Sequence, residues 1–269
     1  MVALNGWQQL FLVVTAGVAG TVDAIAGGGG LLTVPALLAV GLPPQLALGT
    51  NKGQSTFGSA AALLRYAKGG LIPWKRARWL FPAGFIGALG GARLVLLLRP
   101  EILKPLILVL LVVVAAFLTF RRAPKGAATE PTPARERVAL LAALLIGAYD
   151  GFFGPGTGTF LIVAFVSVLG LTLQRASAEA KVVNCAANLA ALCLFAFHGV
   201  VLWTVALPMA GAQLLAGTLG AHLAIRGGER WVRRVVLAVV LVLVLKLLHD
   251  LVQGQWAFRW ACPPWPQAR

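Results

Sequence analysis

Charge is scarce in this chain, and negative charge scarcer still. Asp, Glu, Lys and Arg together make up 12% of its 269 residues, against the roughly 25% typical of soluble domains. Such a composition excludes an ordinary water-soluble enzyme, and the abundance of Leu, Val and Ala excludes a disordered chain. Cysteine is rare too: Cys185, Cys193 and Cys262 form no CxxC pair, so neither a disulfide framework nor a thiolate metal site is indicated. The three histidines, His198, His222 and His249, have no second ligand at metal spacing. There is no GxxxxGK[ST] phosphate loop, no HExxH and no evident Ser/His/Asp set, so neither a nucleotide site nor an intramembrane protease is expected. The expectation is a protein that is not an enzyme, with no cofactor and no metal. The N-terminus lacks the basic region of a secretory signal, so it reads as a first helix that is retained.

What fills the chain instead is apolar. Hydrophobic residues make up 59% of it, and the mean hydropathy is +0.86. Long Leu- and Val-rich runs at this density read as membrane-spanning helices, with the lipid bilayer as the first partner. The net charge of +15 would suggest nucleic acid in a soluble protein. Here the basic residues lie mostly in short loops between apolar runs, where the positive-inside rule accounts for them, and nucleic acid is not an expected partner. Trp7, Trp74, Trp79, Trp203, Trp256 and Trp260 fall near the ends of those runs, as interfacial belts do.

The chain repeats itself. Asp23-Ala-Ile-Ala-Gly27 returns as Asp150-Gly-Phe-Phe-Gly154, Lys52 as Lys181, Gly70 as Gly199 and Trp74 as Trp203. Gly87-Ala-Leu-Gly90 resembles Gly217-Thr-Leu-Gly220. The expected organisation is a first unit over 1–120, a polar linker over 121–136, a second unit over 137–250 and a tail over 251–269. Five apolar elements are expected in each unit: 7–22, 30–41, 46–66, 78–98 and 102–120, then 138–150, 158–170, 178–197, 204–225 and 234–249. Elements one and two of each unit are short and separated by a glycine break. They read either as a pair of short spans or as two half-helices meeting inside the membrane.

An odd number of elements per unit requires the units to face opposite ways. The loop charges agree: Arg65, Lys68, Lys75, Arg76 and Arg78 flank the loop after the third element of the first unit, whereas its counterpart over 197–206 has neither Lys nor Arg. The fold class expected is therefore all-α: a polytopic membrane protein built from two inverted five-element repeats with glycine-broken short helices. The Arg65–Arg78 loop, the linker, the loop with Arg175 and the Arg226–Arg234 loop then lie inside, and both termini outside. Inverted repeats of this kind mark transporters.

Ionisable residues within membrane segments are costly and tend to be functional. Asp23, Asp150, Glu179, Lys52 and Lys181 fall within or beside the duplicated motifs. One reading makes them structural, Lys52 snorkelling to a surface and Lys181 pairing with Glu179. The other follows their spacing. Lys52, Ser55 and Ser59 share one helical face, and Lys181, Asn184 and Asn188 repeat that spacing. Two such stripes facing one another make a small site rich in hydrogen-bond donors, suited to a compact oxyanion. The runs Gly27–Gly30 and Gly154–Gly158 each precede an apolar helix, whose first N–H groups favour an anion. Close helix packing through glycine is the competing explanation. Candidate ligand contacts are Gly28, Gly29, Gly30, Thr50, Asn51, Lys52, Ser55, Gly156, Thr157, Gly158, Lys181, Asn184 and Asn188. Asp23, Asp150 and Glu179 are candidates for accepting a coupling proton.

The runs Asp23-Ala-Ile-Ala-Gly-Gly-Gly-Gly-Leu-Leu-Thr-Val-Pro35, Ala47-Leu-Gly-Thr-Asn-Lys52 and Gly151-Phe-Phe-Gly-Pro-Gly-Thr-Gly158 resemble the TauE/SafE sulfite exporter family, also called the 4-toluene sulfonate uptake permeases. The resemblance implies a multi-pass carrier of the bacterial inner membrane for small sulfur-containing anions such as sulfite, sulfoacetate or aryl sulfonates, with a homodimer as a further expectation. It carries functional weight onto Gly27–Gly30, Thr50, Asn51, Lys52, Gly154, Gly156, Thr157 and Lys181. Gly53 departs from the family pattern, which has Leu there. The alternatives are a carrier or channel for another small ion, or a non-transport membrane assembly factor.

Overall fold

A computed structural model describes residues 4–120 and 132–252, and every described regular element is helical. The helices are α1 (Gly6–Ala26), α2 (Gly30–Ala39), α3 (Pro44–Lys68), α4 (Trp74–Leu97), α5 (Pro100–Phe120), α6 (Pro133–Phe152), α7 (Thr157–Leu169), α8 (Leu173–Phe197) and α9 (Trp203–Val252). Linker residues 121–131 and tail residues 253–269, with Trp256, Trp260 and Cys262, lie outside the described residues. So do the side chains of Lys246, His249 and Asp250. Among the described residues, four segments are long and apolar enough to cross a membrane: α1, α4, α8 and Trp203–Gly227 within α9. α2 and α7, at 10 and 13 residues, are too short to cross a hydrocarbon core of about 30 Å at 1.5 Å per residue.

Local chemistry sets these boundaries. α1 starts on a reciprocal cap: Asn5 accepts from the Gln8 N–H while the Gln8 side chain accepts from the Asn5 N–H. It stops at Gly27, whose φ of 78° is left-handed. Thr132 caps α6 and Pro133 opens it, so the polar stretch before residue 138 joins the helix and α6 exceeds its apolar run. One expectation fails. Elements 204–225 and 234–249, with a loop over Arg226–Arg234 between them, form the single helix α9. Arg, Glu and Trp are all compatible with helix, and Gly227 and Gly228 cost only about 1 kcal/mol each relative to Ala. No proline interrupts the chain between Pro208 and Pro263.

The helix contacts fall into two matching sets. α1 packs on α9 as α6 packs on α4, α3 lies on α9 as α8 lies on α4, and α3 meets α8 directly. α2 sits with α1 and α3 as α7 sits with α6 and α8. Two apolar cores occupy opposite ends. The first gathers Leu12, Leu37, Leu48, Val95, Phe195 and Met209. The second gathers Ile25, Tyr66, Leu80, Ala139, Phe165, Leu173 and Ala221. Counterpart helices therefore run in opposite directions: α3 begins in the first core and ends in the second, whereas α8 begins in the second and ends in the first. The same holds for α1 against α6 and for α4 against α9. Outward faces are apolar, as on α1 with Trp7, Leu10, Phe11, Val14 and Val18, a surface suited to lipid.

Candidate functional site

Between the two apolar cores lies a polar layer built on the glycine breaks. Gly27, which ends α1, and Gly158, in the first turn of α7, approach so closely that a Cβ on Gly27 would stand 2.2 Å from the Gly158 Cα. The Thr159 N–H donates to the Gly27 carbonyl at 3.3 Å. The last turn of α1 leaves carbonyls with no partner in the helix, and three other helices supply donors. The Tyr66 hydroxyl donates to the Ala24 carbonyl, the Ser177 hydroxyl to Ile25 and the Thr159 hydroxyl to Ala26, at 2.9, 3.2 and 2.7 Å. The second break closes on itself: the Tyr149 hydroxyl donates to the Pro155 carbonyl at 2.6 Å and the Thr157 hydroxyl to Gly154 at 2.7 Å. Gly154 and Gly156 there have φ of 93° and 83°, which only glycine adopts readily.

The two buried lysines each pair with an aspartate far away in sequence. Lys52 of α3 donates to Asp150 Oδ1 at the end of α6, at 2.7 Å. Lys181 of α8 donates to Asp23 Oδ2 near the end of α1, at 2.6 Å. Each pair thus joins a helix before the linker to a helix after it. Asparagines join the pairs: Lys52 also donates to Asn188 Oδ1 at 3.0 Å, Lys181 to Asn184 Oδ1 at 3.4 Å, and Asn184 Nδ2 to Asp150 Oδ2 at 3.1 Å. Asn188 Nδ2 reaches Ser59 Oγ at 3.4 Å, and the Gly29 N–H, at the start of α2, donates to Asp23 Oδ1 at 3.3 Å. A continuous chain of polar groups results, with two positive and two negative charges. Its burial is uneven. The lysine and Asp150 side chains are 1–2% exposed, whereas that of Asp23 is 21% exposed.

Several candidates from the sequence sit beside this chain and not in it. The Thr50 hydroxyl accepts the Leu202 N–H at 3.0 Å, just before α9. Asn51 Oδ1 accepts from Thr33 at 2.6 Å and from Gln54 at 2.9 Å, tying α2 to α3. Ser55 is half-buried and accepts from Gln54. Gly28 accepts the Leu31 N–H, Gly30 opens α2 against Pro155, and Gly156 caps α7. Lys52 does not snorkel, and Lys181 does not pair with Glu179. Glu179 instead receives both bonds from Arg76 Nη1, at 2.7 and 2.9 Å. Arg76 also reaches Glu136 at 3.3 Å, so α4, α6 and α8 are clamped together at the end lined by the second core. Sequence reasoning missed Thr33, Gln54, Tyr66, Arg76, Thr159 and Ser177. Of these, Gln54 is fully buried and its Oε1 has no partner among the described residues. Also among the described residues, no three His, Cys, Asp or Glu side chains gather as a metal site would need.

Apolar spans around a buried charged layer fit a membrane transporter, and similarity to known proteins defines that class: a membrane transporter, not an enzyme. The chain belongs to the sulfite exporter TauE/SafE family, which matches residues 12–247. It is 37% identical to the probable membrane transporter protein ORF9 of a Sinorhizobium species over 242 residues, 89% of this chain and 92% of that one. It is 35% identical to the probable membrane transporter protein YfcA of Escherichia coli K12, with 90% of each chain covered. A probable membrane transporter protein of Haemophilus influenzae is 34% identical, with 90% of this chain and 94% of that one covered. No solved structure matches.

Proposed function

We propose that this transporter carries small sulfur-containing anions, of the class of sulfite, sulfonates or sulfoacetate, across the bacterial inner membrane by alternating access, with the proton as coupling ion. The antiparallel course of counterpart helices supports an inverted repeat, in which residues 1–120 and 137–250 rock about the site between them. Basic charge is not spread evenly between the ends. Arg65, Lys68, Lys75, Arg76, Arg135, Arg137 and Arg175 lie at helix ends on the side of the second core, and the positive-inside rule makes that side cytoplasmic. Asn5, at the opposite end, is then external. Lys52 and Lys181 supply charge to the anion. Asn184, Asn188, Ser55 and Thr157 orient it, and the first N–H groups of α2 and α7 add their dipoles.

The observation that supports this reading is the pair of buried ion pairs, Lys52–Asp150 and Lys181–Asp23, each joining a helix of residues 1–120 to a helix after residue 132. The test is flux of labelled sulfite and of a sulfonate in proteoliposomes. Lys52→Gln and Lys181→Gln should each lower it at least a hundredfold while the protein still elutes as a single folded species. Flux unchanged in both variants would remove the lysines from the site.

A further inference from the structure

Resting on the reading of this chain as an anion carrier, we propose that Asp150 is the proton-binding site, that one proton enters with each negative charge, and that sodium takes no part. The charge balance of the polar layer leads there. Two ammonium groups meet two carboxylates at 2.6–2.7 Å, so no uncompensated positive charge waits for an anion. An anion entering this neutral, buried layer leaves it with a net charge of minus one, which is strongly unfavourable where water is excluded. One proton taken from solvent onto a carboxylate returns the sum to zero, and its departure with the anion restores the starting state. A sodium ion does the same arithmetic but has to share a carboxylate with an ammonium group already in contact with it, and like charges at that distance oppose binding.

The surroundings of the two carboxylates choose between them. Asp23 holds a backbone N–H from Gly29 as well as Lys181, and its side chain is 21% exposed, so it is open to solvent and anchored to the start of α2. Asp150 is 1% exposed and is held by the side chains of Lys52 and Asn184 from two other helices. Once Asp150 is neutral, Lys52 keeps Asn188 as acceptor and has N–H groups free for the anion. Gly154 leaves the necessary corner open, since a Cβ there would lie 2.9 Å from Lys52 Nζ and 3.1 Å from Asp150 Oδ1. The charged groups linked to Asp150 are Lys52 from α3 directly, Lys181 from α8 through Asn184, and Asp23 from α1 beyond Lys181. α7 carries no charged residue. On α4, Arg76 is held by Glu179 and Glu136, while Lys75, Arg78 and Arg93 are exposed. On α8, Arg175 is exposed. On α6 itself, Arg135, Glu136 and Arg137 are exposed.

Labelled methanesulfonate is the deciding probe, because it stays a monoanion across the working pH range; sulfite runs in parallel. In proteoliposomes of the full chain, a pH difference of one unit should sustain about tenfold accumulation on the alkaline side. A potassium–valinomycin potential and replacement of sodium should leave it unchanged. Asp150→Asn should lose the pH-driven component, Asp150→Glu should restore part of it, and Glu179→Gln should retain it. Flux that follows the potential or sodium, or that stays pH-driven in Asp150→Asn, overturns this assignment and leaves anion carriage standing. The potential and sodium measurements need only the natural sequence, so a variant that fails to fold does not block them. Absence of flux for both anions overturns the carrier reading and this inference with it.

Discussion

The two glycine breaks share a sequence pattern but are held in different ways. The first is tied down from outside: Tyr66, Ser177 and Thr159, from α3, α8 and α7, each satisfy one carbonyl of the last turn of α1. The second is held by its own residues, Tyr149 and Thr157, and leaves Gly154 beside the Lys52 ammonium group. On the proposed reading, the difference gives packing to the first break and ligand access to the second. A helix end buried among apolar residues needs external donors, whereas a loop closed on itself is free to change its neighbours.

Substitutions at the glycines press hardest on that contrast. Gly27→Ala adds a Cβ onto the α7 backbone and forces a left-handed φ on alanine, which should cost roughly 3 kcal/mol or more. Loss of the monodisperse peak on size-exclusion chromatography in detergent would register it. Gly154→Ala has the same φ problem, but its Cβ meets the end of a flexible lysine. It should yield folded protein with flux reduced at least tenfold. Equal folding defects in the two variants would erase the distinction.

A smaller effect sharpens the same comparison. Tyr66→Phe and Ser177→Ala each leave a buried carbonyl without its donor, at a cost of about 1–3 kcal/mol. The thermal midpoint in detergent should fall for both. Tyr149→Phe should lower it less, because Pro155 lies in a loop and Tyr149 is only half-buried. A larger drop for Tyr149→Phe than for Tyr66→Phe would reverse the assignment.

Much of this was legible in the sequence, for reasons that are local. Period-3.6 apolar runs fixed most helix positions, and the i, i+3, i+7 spacing put Lys52 with Ser59, and Lys181 with Asn188, on single faces. Partner choice was not legible. Two lysines on facing stripes suggest an open positive site, but each finds an aspartate on the other side of the linker, which depends on how α1 and α6 end against α8 and α3. Glu179 lies two residues from Lys181, and neighbours at that spacing point to different sides of a helix; it therefore meets Arg76 across the α4 contact. The donors to the last turn of α1 escaped notice because a Tyr or Ser in an apolar helix carries no sign of which distant carbonyl it serves. The continuous α9 escaped because a charged segment resembles a loop unless helix-breaking residues are counted.

The central claim is that the buried lysines and aspartates act as pairs, Lys52 with Asp150 and Lys181 with Asp23. A double-mutant cycle on thermal stability tests it most directly, using Lys52→Met, Asp150→Asn and the two combined. Removing either partner leaves a buried charge uncompensated and should cost about 3–5 kcal/mol, whereas removing both should cost clearly less than the sum. A coupling of about 2 kcal/mol or more between the two sites is the predicted result. Additive losses, with no coupling between positions 52 and 150, would contradict the account.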